Sequence, residues 1–211
     1  MEIKYFKELP STQQYLIDGI KSNTISPNTA IVATSQPKGV GSRNNIWLSN
    51  EGDLTFSFSI DSANLPSDLP LSSASIYFGY LIKEVLKKYQ KNIFLKWPND
   101  IYIDKAKCGG IVTYFVRDIY IVGIGINLTP RDDQFGYIDA KNAYFEILDS
   151  YFLLLKNPPK WQEIFSKFRL EFKNSFGFVV NSKNGKRDLS KAQLCEDGSI
   201  IVDNERIYSL R

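Results

Sequence analysis

The chain has 211 residues, of which 43% are hydrophobic, 14% aromatic and 23% charged, and this composition indicates a globular protein with a buried core. The net charge is only +3, from 26 basic and 23 acidic residues, so the charge balance does not indicate a nucleic-acid partner. The chain contains no histidine, which excludes Ser-His-Asp and Cys-His nucleophiles and metal sites that use histidine.

The two cysteines, Cys108 and Cys195, are too few for a disulfide framework and do not have the spacing of metal ligands. We expect both to be packing residues in a reducing, cytoplasmic setting. The first ten residues do not form a signal peptide, and the apolar stretch near 119–126 is too short to span a bilayer. We therefore expect no membrane association.

The first predicted elements are a strand over 2–6 and a helix over 13–20, with Ser11 and Thr12 as candidate helix caps. The next strand, 29–35, leads into a loop from Gln36 to Trp47 with two glycines and two basic residues. Backbone amides of such a loop can surround phosphate or carboxylate oxygens. A plain surface loop has the same composition, so both interpretations stay open here.

An alternating strand is predicted over 54–60, and an amphipathic helix over 72–89 whose apolar and aromatic stripe we assign to the core. The most polar stretch follows, KWPNDIYIDKAKCGGIV at 96–112. We expect strands at 93–96, 101–103 and 110–116, separated by turns at 98–100 and 104–107.

This arrangement gathers four polar or aromatic side chains near strand ends: Trp97, Asn99, Asp100 and Lys107. The alternative is an exposed hairpin with solvated lysines. The adjacent pair Gly109-Gly110 favours a binding site, because glycine weakens a strand unless a ligand or another backbone must approach closely.

The rest of the chain is predicted to contain one more sheet strand, two helices and a group of short strands. The strand at 119–128 includes Gly125-Ile126-Asn127, and a loop over 129–136 precedes the helices at 140–155 and 159–174. The short strands are at 176–181, 189–195, 199–202 and 206–210, separated by turns rich in Asn, Asp and Gly.

The sequence K-W-P-N-D followed by K-x-G-G-I resembles the signature of biotin protein ligases, which activate biotin with ATP and attach it to a lysine of a carrier protein. Four further segments are similar to that family in the same order: Ser11-Thr12, the Gln36 loop, G-x-G-I-N at 123–127 and the final YSLR.

The resemblance implies an α+β fold with a mixed sheet flanked by helices, as in the class II synthetase-like catalytic domain of biotin and lipoate ligases. This domain is expected over 1–174, followed by a small C-terminal SH3-like β barrel over 175–211. Some members carry an N-terminal helix-turn-helix repressor domain, whereas this chain begins about ten residues before the Ser-Thr motif, so we expect no repressor role.

The resemblance also implies the site. Lys107 is the expected catalytic lysine, with Arg43 and Asp100 as further catalytic residues. The expected biotin contacts are Ser11, Thr12, Gln13, Gln36, Gly39, Val40, Gly41, Ser42, Lys107 and Gly110. The expected ATP contacts are Arg43, Asn44, Trp47, Lys96, Asn99 and Asn127.

The Gln36 loop departs from the family pattern G-R-G-R-x-x-x-x-W. Val40 and Ser42 occupy both arginine positions, and Arg43 lies one place later. Because an arginine would neutralise charge that develops on the α-phosphate, we expect Arg43 to replace them. Gln13 stands where the family usually has Asn.

The expected reaction is ATP-dependent biotin attachment through biotinyl-5'-AMP, with Mg²⁺ as cofactor and metal ligands unassigned. The expected acceptor is the biotin carboxyl carrier protein of acetyl-CoA carboxylase, and a homodimer is compatible with the sequence. A lipoate ligase of the same superfamily is one alternative, since it uses the same two-step chemistry. A non-catalytic biotin- or nucleotide-binding module is another, because of the lost loop arginines.

Overall fold

The computed structural model describes residues 1–42, 45–131 and 134–209. In chain order its helices and strands are β1 (Glu2–Glu8), α1 (Thr12–Lys21), β2 (Thr29–Ser35), β3 (Gly39–Val40), β4 (Ile46–Trp47), β5 (Leu54–Asp61), α2 (Ala74–Leu86), β6 (Ile93–Lys96), β7 (Asp100–Ile103), β8 (Ala106–Val116), β9 (Ile119–Ile126), α3 (Tyr144–Leu154), α4 (Trp161–Glu171), β10 (Val179–Ser182), β11 (Gly185–Asp188), β12 (Gln193–Leu194), β13 (Ile200–Val202) and β14 (Glu205–Ile207).

Seven strands form the central sheet in the order β1-β2-β5-β9-β8-β7-β6. The pair β1 and β2 is parallel, and the other neighbouring strands are antiparallel. This mixed sheet with flanking helices confirms the predicted α+β fold class.

Successive residues of the strands point to opposite faces of the sheet, and each face has its own hydrophobic cluster. In β2, Val32 belongs to the larger cluster with α2, α3 and α4, whereas Ile31 joins a smaller cluster under α1. In β5, Phe56 and Phe58 face the larger cluster, and Ser57 between them faces α1. The strand period of two therefore gives α1 a partly polar sheet surface.

Helices α2 and α4 are joined through Lys83, whose side chain is fully buried. Its ammonium group lies 2.8 Å from Glu171 on α4, 2.5 Å from Glu84 and 3.7 Å from the centre of the Tyr80 ring. Burial lowers the pKa of Lys83, and the two carboxylates oppose that shift. The pairing offsets the cost of desolvating the charge and holds α4 against α2.

Two boundaries near the polar stretch differ from the sequence prediction. The loop from Gln36 to Trp47 contains a small hairpin, in which Gly39 pairs with Trp47 and Val40 with Ile46. Strand β8 begins at Ala106, so Lys107 lies within a strand and not in a turn. The glycine pair does not interrupt this strand because Gly109 and Gly110 pair with Ile126 and Gly125 of β9.

The C-terminal strands form two small antiparallel sheets, β10-β11 and β12-β13-β14, and within the described residues they do not close into a barrel. The sequence prediction missed β11, since GKRD has no apolar alternation, and it extended β12 across a 3₁₀ turn at Leu189–Lys191. Val180, Leu189 and Ile200 join the larger hydrophobic cluster of the central sheet. The boundary expected at residue 174 stays a prediction.

Two buried indoles hold the turn before β13 against the rest of the fold. Trp97 Nε1 donates to the Gly198 carbonyl at 2.8 Å, and Trp161 Nε1 donates to the Glu196 carbonyl at 3.0 Å. Trp97, in the polar stretch, is fully buried. Its role is therefore to join the hairpin to the C-terminal strands.

None of the helices in the described ranges has the length and apolar character needed to cross a membrane.

We predict that Gly198→Ala destabilises the fold by about 2–4 kcal/mol, because the change combines a left-handed backbone with a steric clash. Gly198 has φ +73°, and an added Cβ would lie 2.5 Å from Ser73 Oγ and 2.9 Å from Ile76 Cδ1. The free energy of unfolding in urea measures the effect.

Gly177→Ala is the matched control. Gly177 has φ +80°, but nothing lies within 4 Å of an added Cβ. The free energy of unfolding of this variant should therefore fall only by the cost of the left-handed backbone, about 1–2 kcal/mol. Equal losses in the two variants would show that the turn at Gly198 is not tightly packed.

Candidate functional site

A cleft lies on the α1 side of the sheet, and we name it the first cleft. It is bounded by the start of α1, the β3-β4 hairpin and the strands β5, β8 and β9. The predicted site residues that line it are Ser11, Thr12, Gln13, Gln36, Val40, Gly41, Ser42, Trp47, Asn99, Asp100, Lys107 and Gly110.

The start of α1 is held by hydrogen bonds within the cleft wall. Ser11 is the helix N-cap, and its hydroxyl accepts from the Gln14 backbone amide, which confirms the predicted cap. The Thr12 backbone amide donates to Gln36 Oε1 at 2.7 Å, and the Thr12 hydroxyl lies 2.8 Å from the Ser57 hydroxyl. These contacts fix the polar groups that face the cleft.

Gln13 is buried, and its side chain extends from α1 to the backbone of β9. Its amide group donates to the Ile121 carbonyl at 3.2 Å, while its Oε1 is buried with no hydrogen-bond partner. An added Cβ at Gly123 would lie 2.7 Å from that oxygen. Gly123 therefore leaves the space that the Gln13 amide group occupies.

The indole of Trp47 lies directly on the backbone of β9. An added Cβ at Gly125 would lie 2.4 Å from the ring, and one at Gly110 would lie 3.5 Å from it. Lys107 Nζ is 5.8 Å from the ring centre, within the range of a cation–π contact. The indole Nε1 is buried without a hydrogen-bond partner.

Asp100 lies between two lysines at the end of the β7-β8 pair. Lys107 Nζ is 2.5 Å from Asp100 Oδ1, and Lys96 Nζ is 3.0 Å from Oδ2. Burial raises the pKa of Asp100, but the lysine charges and their hydrogen bonds outweigh it, and the pKa lies below its usual value. The carboxylate is therefore ionised at neutral pH, and it orients the Lys107 ammonium.

The remaining predicted residues have more indirect positions. Lys96 does not line the first cleft. Its ammonium group pairs with Asp100, so its effect on the cleft is indirect. Asn99 donates to the Ile111 carbonyl at 2.7 Å, which closes the turn against β8. Gly39 is a buried residue of β3, and an added Cβ there would clash with the carbonyl oxygen of its partner Trp47. Arg43 and Asn44 lie outside the described residues.

A second cleft adjoins the first one, and it is lined by Asn45, Ile46, Trp47, Leu48, Lys107, Asn127, Arg131 and Phe135. Trp47 and Lys107 belong to both clefts. Asn127 is held by its amide group, which donates to the Gly136 carbonyl at 2.8 Å, and its Oδ1 is buried without a partner. The ammonium of Lys107 therefore lies at the junction of two neighbouring clefts.

Buried polar atoms without a partner concentrate at these clefts. In the described part of the chain, the side chains with such an atom are Gln13, Trp47, Ser49, Asn127, Arg131 and Arg187. Four of these, Gln13, Trp47, Asn127 and Arg131, line one of the clefts. An unpaired buried donor or acceptor costs about 1–3 kcal/mol, so these atoms are the groups at the clefts that a polar ligand could satisfy.

Sequence reasoning did not identify several residues of the first cleft: Phe56, Ser57, Ile111, Val112, Gly123, Ile124 and Gly125. The available signal was the small residues in otherwise apolar strands. Ser57 pairs with Gly123, and Gly125 pairs with Gly110, so these small residues are neighbours across three strands.

The residues that the structure describes contain no group of three Asp, Glu, Cys or His side chains that could hold a metal ion. Cys108 is buried and Cys195 partly buried, and both are free thiols, as expected for packing residues. Burial raises the pKa of Cys108 to about 12, so its thiol is protonated and unreactive.

Residues 5–129 match the biotin/lipoate A/B protein ligase family. Biotin–protein ligase 2 of Arabidopsis thaliana is 29% identical over 191 residues, covering 86% of this chain and 56% of that protein. The chain spans about half the length of the curated relatives that it matches.

Solved structures are similar over the whole fold. Biotin acetyl coenzyme A carboxylase synthetase from Helicobacter pylori, with bound biotinylated ATP, has a TM-score of 0.92 and 35% identity over 98% of this chain and 99% of its own. Biotin protein ligase from Aquifex aeolicus, in complex with biotin and ATP, has a TM-score of 0.74 and 27% identity over 100% and 96%. The chain therefore belongs to the biotin/lipoate A/B protein ligase family.

Proposed function

We propose that this protein attaches biotin to a lysine of a carrier protein, using ATP and a biotinyl-5'-AMP intermediate. The observation that carries the proposal is the position of Lys107, which lines both clefts. A carboxylate in the first cleft and a phosphate in the second would meet at one ammonium group. The similar Helicobacter pylori structure holds biotinylated ATP, a molecule that joins these two parts.

The first cleft suits biotin because it combines an apolar floor with a few placed polar groups. Val112 and the Trp47 ring supply apolar surface, and Thr12 and Gln13 supply the polar groups that would pair with the ureido ring. The buried Oε1 of Gln13 is an acceptor without a partner, and it would take one ureido N–H.

The second cleft would hold the nucleoside. Trp47, Phe135 and the stem of Lys107 offer surfaces for a flat base, and Asn127 offers an unpaired acceptor for a base or ribose donor. We keep Asn99 and Lys96 as indirect contributors, since they orient β8 and Asp100. Arg43 stays the proposed replacement for the two lost loop arginines, and Asn44 stays a proposed ATP contact; neither is tested by the described residues.

In the first step, an oxygen of the biotin carboxylate attacks the α-phosphorus of ATP. The bond from that phosphorus to the bridging oxygen of pyrophosphate breaks, and pyrophosphate leaves. Two anions must approach each other, so positive charge in a fixed position lowers the barrier. Asp100 holds the Lys107 ammonium for this contact.

In the second step, the carrier lysine nitrogen attacks the carbonyl carbon of the mixed anhydride, and AMP leaves. The attacking amine must be neutral and must release a proton. Asp100 is a weak base because its pKa is low, so we assign it to orienting the amine, with the proton passing to solvent or to the departing AMP.

Mg²⁺ would enter with the nucleotide, since it usually binds phosphate oxygens and few protein groups. The described residues offer no ready carboxylate cage, and Asp100 is already paired with two lysines. The phosphates would therefore supply most of the ligands of the Mg²⁺.

The proposed acceptor is the biotin carboxyl carrier protein of acetyl-CoA carboxylase, which agrees with the name of the similar Helicobacter pylori enzyme. A cytoplasmic location is proposed from the two free cysteines. The homodimer stays a prediction.

We predict that Lys107→Ala lowers biotin-dependent ATP–pyrophosphate exchange by at least about a hundredfold, because it removes the charge at the junction of the clefts. Lys105→Ala is the matched control, since Lys105 is an exposed lysine in the adjacent turn. It should keep the wild-type rate. Exchange with lipoate in place of biotin would instead identify a lipoate ligase, and no exchange with either would leave a binding module.

We predict that Asp100→Asn lowers transfer of biotin to the carrier domain at least about tenfold more than it lowers exchange. The asparagine can still accept from Lys107 and so retains part of its orientation, but it loses the charge that orients the incoming amine. Single-turnover assays of each half-reaction measure the two effects. Equal losses would show that Asp100 acts only through Lys107.

The pKa of Asp100 also predicts a pH dependence of stability. Folding lowers this pKa, so the carboxylate stabilises the folded state above its unfolded pKa of about 4 and loses this contribution as pH falls through the lower folded value. The difference in free energy of unfolding between wild type and Asp100→Asn should be equal at pH 8 and pH 6 and smaller at pH 3. Urea denaturation at the three pH values tests this, and a difference that changes between pH 8 and pH 6 would contradict it.

A further inference from the structure

We propose that Arg131, held by Asp53, is a positioning residue that fixes the segment carrying Trp47 at the second cleft and thereby sets the affinity for nucleotide. This inference rests on the proposed assignment of the second cleft to the nucleoside. It concerns a residue pair that the sequence motifs did not identify.

Asp53 is an anchor at the start of β5, because it is buried and accepts five hydrogen bonds. Its Oδ1 accepts from the backbone amides of Leu128 and Thr129 and from the Thr129 hydroxyl. Its Oδ2 accepts from the Asn50 amide at 2.7 Å and from Arg131 Nη2 at 2.5 Å. The carboxylate therefore ties the end of β9 to the chain that follows β4.

Arg131 extends this connection to the residue next to Trp47. Its Nη2 also donates to the Leu48 carbonyl at 3.3 Å, and only 5% of its side chain is exposed. Leu48 itself is 72% exposed, so its side chain does little to hold the segment in place. Within the described residues, Arg131 is the side chain that donates to the backbone immediately after Trp47.

The two carboxylate oxygens of Asp53 have different partners, so its contacts with the segment after β9 can be considered apart from its contact with Arg131. The backbone amides of Leu128 and Thr129 donate to Oδ1, whereas Arg131 donates to Oδ2. The hydrogen bonds to Leu128 and Thr129 therefore do not require the guanidinium group. Arg131 Nε is buried without a hydrogen-bond partner, a cost that a fold-stabilising arginine would avoid by a bidentate pair with the carboxylate. The hydrogen bond from Nη2 to the Leu48 carbonyl explains why the guanidinium does not form a bidentate pair.

The position of the Trp47 segment affects one cleft more than the other. Ile46, Trp47 and Leu48 all line the second cleft, and only Trp47 among them lines the first. The guanidinium is already paired with a carboxylate, so it adds little net charge toward a phosphate. Loss of Arg131 should therefore weaken nucleotide binding and leave biotin binding almost unchanged.

The test is Arg131→Met in the full chain, assayed by biotin-dependent ATP–pyrophosphate exchange. We expect KM for ATP to rise about tenfold, with KM for biotin within about twofold and kcat within about threefold of wild type. Arg131→Lys should fall between, because lysine keeps the charge and can donate to both acceptors of Nη2, but its side chain is shorter. Arg169→Met, at an exposed arginine of α4, is the control and should match wild type.

A second variant separates positioning from stability. Arg131→Met alone leaves the Asp53 carboxylate buried without its cation, whereas the double variant Asp53→Asn, Arg131→Met removes both charges. The double variant should be as stable as the single one or more stable, yet its KM for ATP should stay high. An unchanged KM for ATP in either folded variant, or an equal rise in KM for biotin, would overturn the inference.

Failure of the proposed function gives a different result. If wild type shows no exchange, calorimetric titration with ATP still compares wild type with Arg131→Met. A weaker Kd for ATP in the variant would support the positioning role, and an equal Kd would contradict it.

Discussion

Three neighbouring strands carry little side-chain volume on the sheet face that α1 covers, and the site is built on that surface. Ser57 of β5, Gly123 and Gly125 of β9 and Gly110 of β8 pair with one another across the sheet. Each strand glycine costs roughly 0.5–1 kcal/mol relative to alanine. Because these glycines have no Cβ, Gln13 and Trp47 pack directly on the strand backbone, at distances that no Cβ would permit. These packing contacts offset the cost.

Charge is concentrated at the edge of this surface. Asp100 between Lys96 and Lys107 keeps two cations close together in a largely buried place, where each alone would be costly. The result is an oriented ammonium group at the junction of two clefts, and not a general positive surface. This local arrangement is consistent with a chain whose net charge is only +3.

The loop that departs from the family pattern is supported from outside itself. Gln36 accepts from the Thr12 amide, which ties the start of the loop to α1. Arg131 and Asp53 tie its end to β5 and to the segment after β9. The β3-β4 hairpin is thus anchored at both ends, by the partly buried Gln36 and by the buried side chains of Arg131 and Asp53, although Val40 and Ile46 are exposed.

The polar stretch illustrates what could be derived from sequence. Its strands, its turn at Pro98-Asn99 and its excess of polar groups were visible as local patterns, and so was the α1 cap. The mixed α+β fold class came from the resemblance to the ligase family. The limit of β8 was misplaced because local reasoning treats Gly109-Gly110 as a break, whereas pairing with β9 carries the strand through it. The short strand β11 was missed because its sequence, GKRD, has no apolar period.

The sequence by itself determined the order of elements and the motifs, because these depend on neighbours along the chain. The resemblance of the motifs to the ligase family then identified the expected lysine. Only the tertiary structure decided that Lys107 lies between two clefts, that Trp97 joins the hairpin to Gly198, and that Arg131 pairs with Asp53. These contacts join residues up to 101 positions apart in the chain. No local pattern encodes such a distance, since the packing of elements that are far apart in the chain sets which residues meet.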